Sequence, residues 1–163
     1  MDLLDRLLGH DAWTTRQLLA RCSALTDDQL DTEFEIGHRS VRRTLQHIVF
    51  NLDVWSGLMV GRITSRNDVR RPPSTPALLI ERLDRAAAVL ATVARQVAER
   101  GGWDDTFIDV LDTPPAPKTY GGAIAHVITH SMHHRAQLLF MMKSLGLGSL
   151  PEGDALSWEQ NRA

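Results

Sequence analysis

The segment HVITHSMHHRAQ, residues 126–137, holds His126, His130, His133 and His134, four of the chain's seven histidines. They are interleaved with Val127, Ile128 and Met132, unlike a contiguous tag. On a helix each residue turns by about 100°, so relative to His126 the other rings lie near about 40° (His130), −20° (His133) and 80° (His134). All four therefore share one broad face. His130 and His134 stand in the i, i+4 relation that lets two imidazoles bind one metal ion. A site with open positions needs a third protein ligand. The best candidate is His47 in TLQHIVFNLDVW, where Leu45, Ile48, Val49 and Phe50 surround it and predict an inward ring. A buried imidazole needs a polar partner, and a shared ion satisfies three at once. Hydrogen bonding inside a core is the competing role for such a histidine. His126 is the alternative to His130 if the site lies one turn nearer the helix start, and His133 is expected to pack or to support the ligands.

Other chemistry-bearing residues fall around this group. Asn51, at i+4 from His47, is placed to reach the site as a hydrogen-bonding group. Asp53 lies about 240° round the same helix from His47 and is expected to face elsewhere. Arg135 either pairs with a carboxylate inside the fold or holds an anionic substrate, and Gln137 follows just past the histidines. Arg39, Arg42 and Arg43 stand near a helix N-terminus, where positive charge opposes the dipole. They are expected on a solvated face, or against acidic groups or the carboxylates of a thiol cofactor. Trp13 and Trp55 are assigned to the core, and His10 and His38 to the surface or loops. Cys22 is alone, so no intramolecular disulfide framework exists. Leu18, Leu19 and Leu25 around it indicate a buried helical thiol.

The elements that position these residues are helices. Apolar residues recur at helical spacing in four stretches. The first covers about residues 2–22, with Leu3, Leu4, Leu7, Leu8, Trp13, Leu18 and Leu19. Thr26 or Asp27 leads a short helical turn, and EIGHRS reads as a loop. Ser40 is a suitable N-cap for a second helix over about 41–60, striped by Leu45, Ile48, Leu52, Trp55 and Met59. RRPPSTP is a stiffened linker. Ser74 or Thr75 then caps a third helix that runs to about Arg100 before Gly101-Gly102. The segment 103–119 reads as irregular, with TFIDVL a possible strand and the following prolines opposing anything further. A fourth helix starts near Tyr120 and stops at Gly146. The tail is expected to dock through Leu156 and Trp158. Four amphipathic helices without a convincing sheet predict an all-α four-helix bundle with short extra helical turns.

The chain's 163 residues suit a single domain over 1–163 with a sizeable core. A net charge of −2 opposes a nucleic-acid partner, which would require a basic field. The acidic N-terminus lacks a signal-peptide pattern, and the longest apolar run, Ala86–Ala91, is too short for a membrane span. A cytoplasmic protein is expected.

At this point SVRRTLQHIVFNLDVW, followed by HVITHSMHHRAQLLFMMKSLG, resembles the DinB/YfiT-like family of metal-binding four-helix bundles. GHDAWTTRQLL resembles that family's first helix and GDALSW its tail. The resemblance implies His47, His130 and His134 as the ligands of one divalent metal ion. One departure is visible: Ala136 stands where the family usually has Gly after the Arg. Three imidazoles suit Zn²⁺, Ni²⁺, Co²⁺ or Fe²⁺. The family includes thiol-dependent transferases and isomerases, such as mycothiol-dependent maleylpyruvate isomerase and bacillithiol transferases. A metal-dependent enzyme of thiol S-transferase or hydrolase type, using a low-molecular-weight thiol or a small-molecule substrate, is therefore the expected function. The alternative is a non-catalytic metal-binding or stress-response bundle. Relatives are often dimers, and Leu138, Leu139, Phe140, Met141 and Met142 run right round the last helix, so a homodimer is expected.

Overall fold

A computed structural model describes residues 1–70 and 75–162. Its elements are α1 (Leu3–Cys22), α2 (Asp27–Asp31), α3 (Val41–Met59), a 3₁₀ turn (Arg66–Asp68), α4 (Pro76–Glu99), β1 (Thr106–Asp109), β2 (Ala116–Thr119), α5 (Tyr120–Ser144) and α6 (Ala155–Asn161). The four long helices form an all-α bundle in which α3 packs against both α4 and α5, and α1 packs against α4 and α5.

Each long helix begins on a side chain that accepts an otherwise unpaired backbone N–H. Asp2 accepts from Asp5, Ser40 from Arg43, Thr75 from Leu78 and Thr119 from Gly122. Pro76 follows the Thr75 cap in the first turn, where its missing N–H leaves no bond unmade. The RRPPS part of the expected linker, including Ser74 as an alternative cap, falls largely on residues 71–74, outside the described residues. The apolar stripes meet at the centre. Leu18, Leu19, Leu45, Val49, Leu83, Val97, Leu138, Met141 and Met142 are all buried there.

The segment 103–119 is more ordered than its composition suggested. β1 and β2 pair antiparallel, with Ile108 opposite Pro117. Pro117 lies inside a strand that the prolines were expected to prevent. Both strands of a two-stranded ribbon are edges, where a residue without an N–H is tolerated. Tyr120 fastens the open end of the ribbon. The Tyr120 N–H donates to the Asp105 carbonyl at 3.0 Å, and the Tyr120 hydroxyl donates to the Met59 carbonyl at 3.2 Å. This fixes the start of α5 against the end of α3, the two helices that carry His47 and the histidine segment.

Of the two residues expected to dock the tail, only Trp158 does so. Trp158 is buried, while Leu156 is 71% exposed, because the short α6 presents one narrow face to α1. A Cβ added at Gly9 would stand 2.6 Å from the Trp158 ring, so the glycine gives the indole its seat. His10, expected at the surface, is buried and lies 2.8 Å from the Gly153 carbonyl, to which its Nε2–H donates. Trp13 is only half-buried and stands outside the core cluster. No helix among the described residues is long and apolar enough to cross a membrane.

Candidate metal centre

His47 lies on α3, two turns after the Ser40 cap, and His130 and His134 lie one turn apart on α5. The packing of α3 on α5 brings the three rings together. His47 Nε2 is 3.1 Å from His130 Nε2, and His134 Nε2 is 3.2 Å from the same atom. Their ring centroids stand 4.4–4.9 Å apart. His134 is buried and the other two are half-buried. His38 joins them from the loop before α3. One nitrogen each of His38, His47 and His134 lie within 4.8 Å of one another, a group that could hold a metal ion. His38 was expected to be a plain loop residue. Its place two residues before the α3 cap, on the same end of the helix as His47, was the available signal.

The hydrogen bonds around the rings assign their protons. Gln137 Oε1 stands 2.9 Å from His134 Nδ1, and Gln137 Nε2 stands 2.9 Å from His133 Nε2. The amide thus donates to His133 and accepts from His134 Nδ1–H. That leaves the His134 Nε2 lone pair facing the cluster. Exposed His133 supports the centre through Gln137. On the other side, the Trp55 indole N–H donates to Asn51 Oδ1 at 3.1 Å, which turns the Asn51 NH₂ toward His130 Nδ1, also at 3.1 Å. An indole N–H can only donate, so His130 accepts at Nδ1 and carries its proton on Nε2 when neutral.

Burial favours the neutral form of His130 and His134. Burial, then the neighbouring His134, pushes the His130 pKa down to about 4, with His126, His133 and His38 adding to it. Burial also lowers the His134 pKa, opposed by its bond to Gln137. Metal coordination requires neutral imidazoles, so the environment favours the ligating form. His126 is exposed, and its ring centroid lies 5.1 Å from that of His130. Beside it opens a cleft of about 450 Å³ lined by Trp55, Pro117, Lys118, Thr119, Ala123 and His126. Trp55 is half-buried and stands between the core and this cleft.

The chain itself matches the family model described as the DinB superfamily over residues 10–138. It belongs to the DinB superfamily. Two solved structures share the fold of this DinB-superfamily chain. A DinB-family protein from Exiguobacterium sibiricum 255-15 aligns with a TM-score of 0.67 at 22% identity, covering 93% of this chain and 95% of its own. A DinB-like protein from Bacillus cereus ATCC 10987 aligns with a TM-score of 0.62 at 19% identity, covering 87% and 89% respectively. Among curated proteins, none matches.

Arg135, Asp53, Arg42 and Arg39 of this DinB-superfamily chain have structural partners. Arg135 is buried, and its Nη1 donates to the Asp11 carboxylate, to Ser131 Oγ at 2.9 Å and to Thr15 Oγ1 at 3.2 Å. It ties α5 to α1 and does not face a substrate. Asp53 is bound by Arg62 and Arg82 at 2.7 Å each, away from His47 as its helical angle indicated. Arg42 pairs with Asp27 and Asp31, and Arg39 with Glu33 and Glu35. Those arginines therefore meet the chain's own carboxylates. Cys22 is fully buried against Met142, 3.8 Å between sulfurs, and burial pushes its thiol up to about 12. It is a packed thiol and not a nucleophile.

Proposed function

We propose that this chain binds one divalent metal ion, Zn²⁺, Ni²⁺, Co²⁺ or Fe²⁺, through His47, His130 and His134, and works as a metal-dependent enzyme of thiol S-transferase or hydrolase type. The observation that carries this reading is the spacing of the three Nε2 atoms, 3.1 and 3.2 Å about His130. Metal–imidazole bonds of about 2.0–2.1 Å, set at right to tetrahedral angles, put two ligand nitrogens roughly 2.9–3.4 Å apart. When bound, such an ion supplies Lewis acidity that favours the deprotonated form of a water or a thiol.

The chain's own residues prepare the rest. Gln137 holds His134 in the tautomer that offers Nε2, with His133 holding Gln137. The cleft beside His126, walled by Trp55, Pro117 and Ala123 and carrying Lys118, is where a small electrophile would sit. Because Cys22 is buried, the reacting thiol must be a separate low-molecular-weight cosubstrate. We place the protein in the cytoplasm, where such thiols are kept reduced. The test is turnover of an electrophile by metal-loaded protein with several low-molecular-weight thiols. Turnover that requires both metal and thiol is expected for a transferase, and turnover requiring metal alone for a hydrolase. The alternative, a non-catalytic metal-binding or stress-response bundle, is favoured by Asp53. This carboxylate follows His47 on α3 but is committed to Arg62 and Arg82, and so is not offered as a general base. Metal-loaded protein without turnover under any of these conditions would support that alternative.

Asn51 provides a sharper prediction. An imidazole that coordinates through Nε2 carries its proton on Nδ1, yet Asn51 presents its NH₂ to that atom of His130. Loading the site requires the amide to turn its oxygen to the ring and release Trp55. Asn51→Asp supplies an acceptor in either orientation. Outer partners of this kind change metal affinity by about 10–100-fold, so the variant should bind the ion about tenfold more tightly or better in a competitive chelator titration. Weaker binding than the parent would show that His130 does not coordinate through Nε2.

We also infer a homodimer formed through helix faces, with one centre inside each subunit. Met132 and Phe140 on α5 are 54% and 55% exposed, with exposed Ala136 between them at i, i+4, i+8 spacing. Light scattering at low micromolar concentration should give about twice the 18.2 kDa chain mass. A mass equal to one chain would rule the dimer out.

A further inference from the structure

The turn that precedes α3 is built to deliver His38 onto the other histidines. Its backbone closes by Phe34 N–H donating to the Arg39 carbonyl at 2.7 Å and Arg39 N–H donating to the Ile36 carbonyl at 2.9 Å. Two of its residues take left-handed backbone, Gly37 at φ +52° and Arg39 at φ +68°. A non-glycine residue there is uncommon and costs energy that something nearby must offset. The Arg39 guanidinium is held by Glu33 and Glu35 of the same loop. Gly37 is seated directly on Gln137, since a Cβ at that position would stand 2.1 Å from Gln137 Oε1. That oxygen also accepts from His134 Nδ1. The turn and the orienting amide of His134 are therefore one packed unit.

The result is a fourth imidazole at the cluster. The His38 ring centroid is 3.8 Å from that of His47 and 4.9 Å from that of His134. A ring nitrogen of His38 lies within 4.8 Å of a ring nitrogen on each of them. Three imidazoles leave open positions around an ion, and His38 is half-buried beside them.

We propose that His38 is a fourth, loop-borne ligand of the centre, occupying one of the positions that His47, His130 and His134 leave open. This rests on the metal-centre reading above. His47, His130 and His134 are fixed on two packed helices, whereas His38 is carried on a turn outside them. With an ion bound, His38 would fill one of the positions that a substrate or thiolate would otherwise take.

The experiment uses the full chain loaded with Co²⁺ or Zn²⁺. X-ray absorption of the loaded protein should require four imidazoles, and His38→Ala should require three. The visible spectrum of the Co²⁺ form should change in His38→Ala, and free imidazole should restore it toward that of the parent. His38→Gln, which keeps side-chain volume, should show the same loss of one imidazole with its helical circular dichroism unchanged. Metal affinity should fall by about tenfold in both variants. Three imidazoles in the parent, with unchanged spectrum and affinity in His38→Ala, would overturn the role of His38. The metal-centre reading would survive that result if His47→Ala still lost the ion. A parent chain that takes up neither ion would overturn both.

Discussion

His47→Ala, His130→Ala and His134→Ala should each lose tight binding of a divalent ion, while His10→Ala should retain it. The loss should be at least about 100-fold for each ligand, because even outer partners of a metal site change affinity by about 10–100-fold. The three side chains come from two packed helices, with nitrogens already 3.1 and 3.2 Å apart, so neither helix has to move to gather them on binding. Removing one helix-borne imidazole cannot be compensated by a shift of either helix without disturbing the core around Leu45, Leu138 and Met141. His133→Ala should fall between these classes at about tenfold, since His133 acts through Gln137. His10 is the informative control. It is buried, but its partner is the Gly153 carbonyl in the tail. Affinities read from a competing chromophoric chelator, alongside circular dichroism, separate lost ligation from lost fold. Full retention by His47→Ala would remove His47 from the ligand set.

The second large effect is on stability. Asp11→Ala or Arg135→Ala should each destabilise the metal-free protein by about 3–5 kcal/mol, the usual cost of leaving one member of a buried ion pair without its partner. Both residues are almost fully buried, Asp11 at 4% and Arg135 at 2% exposure. Arg135 also holds Ser131 and Thr15, and its Nη2 is buried with no hydrogen-bond partner among the described residues. The guanidinium is therefore already under-satisfied and depends on the carboxylate. A double variant, Asp11→Leu with Arg135→Met, should recover most of the loss, because apolar residues of similar volume often replace a buried pair without cost. Urea unfolding midpoints measure all three. A change below about 1 kcal/mol in both single variants would show that water reaches the pair. Arg135 adjoins His134, so this link also sets the rotation of α5 against α1 and thereby the direction of the histidine face.

Much of this was legible from periodicity and capping. Ser40 and Thr75 cap two of the long helices, and Leu45, Ile48, Leu52 and Met59 of the α3 stripe are buried. These features depend on local spacing, which the sequence displays directly. The features that were not legible depend on distant parts of the chain. His38 sits in a loop whose path is set by left-handed residues and by a seat on Gln137, about a hundred residues later. His10 is buried because the tail returns to it, and Leu156 is exposed because α6 has one narrow contact. Pro117 entered a strand because a two-stranded ribbon has no interior position to protect. Tautomers were beyond sequence reading as well. Only the placement of Trp55 against Asn51, and of Gln137 between His133 and His134, assigns the ring protons.

One divalent ion per chain on His47, His130 and His134 is the proposal on which the other metal-binding predictions rest. Elemental analysis tests it most directly, on protein purified without a His tag or a metal column. About one divalent ion per chain is expected in the parent and close to none in His47→Ala. Parent protein that carries no ion and takes none up from excess Zn²⁺, Ni²⁺, Co²⁺ or Fe²⁺ would contradict it.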